Sequence, residues 1–136
     1  MLGLGGCGTT RPKPLSSLQL RAKAGAICSA ASAAANAIPA PGWSGAPRFL
    51  ARGLAVLRSE LVRLRSLRPT GAAGTTYRVA LSSFSAELGA LARARVLLAR
   101  GGDPVLTVQR LAHELAPPEA TARRAWEVLG IPTCLA

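Results

Sequence analysis

The chain has 136 residues, 49% of them hydrophobic but only 4% aromatic, and a formal net charge of +11. That length fits one domain, and that apolar content excludes a disordered chain. With so few aromatic rings the core must be built from Leu, Val, Ile and Ala, which suits closely packed helices.

Residues 1–15 read as a tail, because Gly3, Gly5, Gly6, Gly8, Pro12 and Pro14 oppose regular structure. The body, 16–136, shows helical periodicity and no strand pattern. The first helix is predicted from Ser16 to Ile38. Leu20, Ala24, Ile27, Ala31, Ala34 and Ile38 recur on one face, and Pro39 ends it. The longest uncharged run lies between Lys23 and Arg48, but Pro39, Pro41 and Pro47 prevent it from spanning a membrane. The next loop carries Trp43, which is expected to fold back over the core.

Pro47 suits the first turn of a second helix. Leu50, Leu54, Leu57, Leu61 and Leu64 alternate at four and three residues, the spacing of a bundle seam. Arg48, Arg52, Arg58, Arg63 and Arg65 fall elsewhere on the same helix, with only Glu60 to offset them. Pro69 stops it. Thr70–Thr75 is expected as a loop, with Thr75 or Thr76 capping a third helix. That helix carries Tyr77, Leu81, Phe84, Leu88 and Leu91 inward and ends at Gly101-Gly102.

Asp103-Pro104 is a helix start, an N-cap acid followed by proline at the first position. Val105, Val108, Leu111, Ala112 and Leu115 are expected to face inward. Pro117-Pro118 is expected to break this fourth helix, with Glu119 in a new first turn. Ala122, Ala125, Trp126 and Leu129 continue the apolar face to Gly130. The fold expected is all-α, an up-down four-helix bundle with its last helix broken at Pro117-Pro118.

Three cysteines punctuate this plan. In an up-down bundle the first helix begins where the last one ends. Cys28 and Cys134 can therefore meet, through the short tail Ile131-Pro132-Thr133. An oxidising compartment would bridge them, and a reducing one would leave two thiols. Cys7 stands apart in Leu4-Gly5-Gly6-Cys7, which resembles the lipobox of bacterial lipoproteins. The resemblance implies diacylglyceryl modification of Cys7, cleavage just before it and a true start upstream of Met1. Residues 8–15 would then be a tether, and the protein would sit on the outer face of the cell membrane. The chain also resembles small Ala- and Arg-rich lipoproteins of high-GC actinobacteria that end in Gly-Ile/Val-Pro-x-Cys, here Gly130-Ile131-Pro132-Thr133-Cys134.

Catalytic motifs are missing. Gly3-Leu4-Gly5-Gly6-Cys7-Gly8 has the dinucleotide-loop spacing but no flanking strand. Gly42-Trp43-Ser44-Gly45 lacks the second glycine of a nucleophile elbow. His113 falls beside the apolar stripe of the fourth helix and has no partner to make it a base or ligand. Cys28, Cys134 and His113 match no zinc spacing. The carboxylates Glu60, Glu87, Asp103, Glu114, Glu119 and Glu127 are scattered along the chain. No enzyme activity, cofactor or metal is expected. The expected role is a non-enzymatic interaction or envelope-structural one, with anionic lipid or a wall polymer drawn to the arginines of the second helix. The alternative is a cytosolic basic bundle that binds nucleic acid or a protein partner.

Overall fold

The computed structural model describes residues 14–135; Cys7 lies outside them, as does the Trp43 side chain. Four helices succeed one another: α1 (Ser17–Asn36), α2 (Ala46–Ser66), α3 (Gly71–Ala99) and α4 (Pro104–Leu129). Short 3₁₀ turns sit at Trp43–Gly45, before α2, and at Pro132–Leu135, after α4. The all-helical fold is the one expected. Each helix packs most closely on its neighbours in sequence, as short connections require. The C-terminal turn packs on both α1 and α4, closing the bundle on its remaining side.

Local chemistry starts and stops these helices. Ser16 and Gln19 form a reciprocal capping box at the start of α1. The Ser16 hydroxyl accepts from the Gln19 N–H at 3.1 Å, and the Gln19 carbonyl accepts from the Ser16 N–H at 3.0 Å. The Asp103 carboxylate accepts from the Leu106 N–H at 2.9 Å and begins α4. Gly130, at φ +70°, ends α4, because a side chain is strained in that left-handed conformation. The Ile131 N–H then donates back to Trp126 O at 3.1 Å, and Ile131 is driven into the core.

One apolar cluster joins the four helices: Leu20 and Ile27 from α1, Leu54, Leu61 and Leu64 from α2, Tyr77, Leu81 and Leu88 from α3, and Ala122, Trp126 and Leu129 from α4. Tyr77 is its largest fully buried member, at 1% exposure. Its hydroxyl donates to Leu64 O at 2.6 Å, satisfying a carbonyl at the end of α2. Its ring meets Trp126 edge to face, with centroids 5.9 Å apart.

Three expectations need correction. The Thr70–Thr75 loop is the start of α3 instead: Thr70 is the N-cap position, and Thr75 and Thr76 lie inside the helix. Their hydroxyls donate to Gly71 O and Ala72 O, one turn back, at 3.4 and 3.2 Å. Second, α4 runs unbroken through Pro117 and Pro118. The two prolines take away the N–H groups that would have bonded His113 O and Glu114 O. Turns on either side pack on the same partner, α3, through Glu114 with Arg93 before the prolines and Trp126 with Tyr77 after them, so a break would detach one of them. Third, Val105 and Val108 are 57% and 58% exposed, and Ala112 is exposed too, whereas Thr107 is buried. An unbroken helix carries the face set by Ala122, Ala125 and Leu129 back to Leu111 and Thr107 in three- and four-residue steps. That phase turns Val105 and Val108 outward. Thr107 tolerates burial because its hydroxyl donates to Asp103 O at 2.7 Å.

Pro117 is exposed and makes no core contact that alanine would lose. Pro117→Ala restores a donor to His113 O and is expected to stabilise the fold by about 1–3 kcal/mol. Urea unfolding monitored by circular dichroism measures this. A lower midpoint would mean that the prolines mark a true break.

Candidate functional site

Cys28 and Cys134 are joined by a disulfide, with Cα atoms 5.2 Å apart and 106 residues between them in sequence. Cys28 projects from the buried face of α1, and the 3₁₀ turn after α4 lays Cys134 over it. Gly25 makes that approach possible, since a Cβ there would stand 3.3 Å from Thr133 Oγ1. Arg21 fixes the same junction one turn earlier by donating from Nε to Leu129 O at 3.1 Å.

Beneath the disulfide lies a cavity of about 330 Å³ between the four helices. Leu57 and Leu64 of α2, Phe84 of α3 and Trp126 of α4 form its apolar walls. Glu60, Glu87 and Glu119 also line it, one from each of α2, α3 and α4, together with Arg123. The six carboxylates look scattered in the sequence, yet folding gathers three of them. No local signal marks this grouping, because it depends on the relative heights and rotations of three helices. Burial raises the Glu60 carboxyl to about 7, with a further push from Glu87. Burial likewise raises Glu87 to about 7, assisted by the charge of Glu119. Near neutrality these two carboxyls are therefore partly protonated, and each can donate as well as accept a hydrogen bond. Among the described residues no group of three or more His, Cys, Asp or Glu has the arrangement of a metal site.

The remaining sequence candidates lie on the outside. Arg48, Arg52, Arg58, Arg63 and Arg65 are all exposed on α2. Arg65 also borders a groove of about 660 Å³ between the end of α2 and the start of α3. There it joins Arg68 and Arg78, which helical periodicity in α2 alone does not bring into view. His113 is exposed on α4, and Trp126 is a core residue. No helix among the described residues is long and apolar enough to cross a membrane. No known protein family matches this chain, and no curated protein or solved structure is significantly similar to it.

The cavity carboxyls make stability depend on pH. Each holds its proton more tightly in the folded chain than in the unfolded one, where its value is near 4.5. The folded state therefore binds more protons between about 4.5 and 7, and this contribution falls as pH rises through that window. Glu60→Gln/Glu87→Gln removes the dependence. Allowing for the solvent that reaches both groups, it is expected to stabilise the protein by about 1 kcal/mol at pH 8, or ~4 °C in melting temperature, and by little at pH 5. Thermal melts of both proteins at the two pH values check this. Equal shifts at pH 5 and 8 would show that ionisation is not the cause.

Proposed function

We propose that this chain is an exported helical bundle, anchored to the outer face of the cell membrane through a lipid on Cys7, that acts by interaction and not by catalysis. The observation that carries this reading is the Cys28–Cys134 disulfide. Disulfides persist in oxidising compartments and are rare where thiol reductants circulate. This one ties α1 to the C-terminal turn and closes most of the chain into a single loop, which is a structural use of cysteine. The lipobox-like Leu4-Gly5-Gly6-Cys7 supplies an anchor consistent with such a compartment, and the residues between Cys7 and Leu15 supply the tether, Leu15 itself packing against the core. One acyl chain holds a protein only marginally, so stable anchoring needs two or more chains or a chain plus a basic surface. Fifteen arginines against six carboxylates provide the basic surface. The actinobacterial lipoproteins with the same terminal Gly-Ile/Val-Pro-x-Cys pattern support the same assignment.

The test is the intact mass of the protein isolated from its native cells without reduction. A chain that begins at Cys7, carries diacylglycerol and lacks two hydrogens is expected. An unmodified chain beginning at Met1 or Leu2 with three thiols would overturn the proposal. The protein would then be the cytosolic basic bundle, and strongly salt-dependent binding to nucleic acid would be the property to measure.

A further inference from the structure

We propose that one end of the bundle is a docking surface for the phosphate headgroups of an anionic lipid leaflet. This end is formed by the first turns of α1 and α3 and the last turns of α2 and α4. Residue Leu15 pairs with Pro69 in an isolated parallel bridge, so the described chain begins beside the α2–α3 groove. Arg65, Arg68 and Arg78 line that groove, with the side chains of Ser82 and Ser85, and no carboxylate does. All three arginines are exposed. Among the described residues the one salt bridge is Arg93 with Glu114, so none of the three has a carboxylate partner. Arg78 reaches along the start of α3, donating from Nη2 to Thr75 Oγ1 at 3.3 Å. Thr70 makes no side-chain capping bond, which leaves the first N–H groups of α3 as further donors on the same side. In the four helix turns that form this end, Glu127 is the only acid.

Exposed aliphatic side chains occur at both ends of the bundle, and at this end two of them accompany the arginines. Leu18 and Val128 are each 75% exposed, on the first turn of α1 and the last turn of α4. Val128 borders the small cleft lined by Leu20, Arg21, Ala72 and Leu129, and Leu18 adjoins its Ser17 wall, which places both at this end. Arginines that hold phosphates beside aliphatic groups that enter the acyl boundary make the chemistry of an interfacial site. A soluble polyphosphate or wall polymer would use the arginines but leave Leu18 and Val128 in water. The proposal deepens the anchored-bundle reading, but it requires no lipid on the protein, so the two can fail separately.

The experiment uses the full chain, with its disulfide formed and Cys7→Ser to exclude acylation. It measures co-flotation with vesicles of phosphatidylcholine alone or with 30 mol% phosphatidylglycerol. Binding is expected only to the anionic vesicles and is expected to weaken with salt. Arg65→Gln/Arg68→Gln/Arg78→Gln should weaken it about 100-fold, at the usual value of a basic residue near an anionic surface. A charge-matched control, Arg48→Gln/Arg52→Gln/Arg110→Gln, removes three exposed arginines from the opposite end and should weaken it by less than about 3-fold. Leu18→Ser/Val128→Ser should also weaken vesicle binding, by about 10-fold, while leaving the fold intact by circular dichroism. Equal losses in the two arginine triples would reduce the effect to net charge and overturn the proposal. So would no binding to anionic vesicles, or binding that a soluble glycerol-phosphate polymer matches and that Leu18→Ser/Val128→Ser leaves unchanged.

Discussion

The covalent tie between α1 and the C-terminal turn is the constraint on which the rest of this bundle depends. The buried face of α1 includes Ala24 and Ala31, whose small side chains bury little apolar area. Close packing on α2 covers only one side of the helix. The other side is covered by the 3₁₀ turn that carries Cys134, none of whose residues is fully buried. A cross-link over 106 residues contributes about 4–5 kcal/mol in the chain-entropy model. That is a large share of the roughly 5–15 kcal/mol by which a domain of this kind is stable. The same bond brings Cys134 and Leu135 over the interior cavity.

The cavity is the consequence of a core short of aromatic rings. Trp126, Phe84 and Tyr77 are the large side chains available to the middle of the bundle, and Tyr77 is committed to the junction with Leu64. The space beside them is lined by carboxyls that water still reaches in part. Such groups are tolerated because they need not be charged. Glu60 and Glu87 avoid most of the cost of desolvation by holding protons up to about pH 7. Arg123 lines the same cavity from α4.

Much of this architecture is legible in the sequence, and the illegible parts have two causes. Asp103 with Pro104, and Gly130, announce helix ends through bonds within a few residues, and both are where the pattern places them. The leucine seam of α2 is equally local: Leu54, Leu61 and Leu64 are buried, and Leu57 packs against the core. The disulfide is a product of topology, since up-down order brings the beginning of α1 to the end of α4. Every reading fails in which a local preference competes with packing. Pro117 and Pro118 locally oppose a helix, but contact of both flanking segments with α3 overrides them. That one error also misdirects the start of α4, because a broken helix would have let Val105 and Val108 choose their own face. Glu60, Glu87 and Glu119 are illegible for a different reason. Their meeting depends on how three helices are rotated against one another, and no single periodicity encodes that.

The same placement of acids gives the surface its character. Of the six carboxylates, Glu60, Glu87 and Glu119 turn to the cavity, Asp103 caps α4 and Glu114 pairs with Arg93. Asp103, Glu119 and Glu127 are all exposed, and of these Glu127 alone has none of these roles. The formal charge of +11 counts all six as ionised. With Glu60 and Glu87 each near 7, roughly one further negative charge is missing at neutral pH. The arginines show little sequence clustering. Glu60 and Glu87 are half-buried and partly protonated at neutral pH, and the field outside the bundle is accordingly more positive than composition alone implies. A partner drawn by that field is anionic, and the end of the bundle that holds the groove of Arg65, Arg68 and Arg78 also carries the exposed Leu18 and Val128.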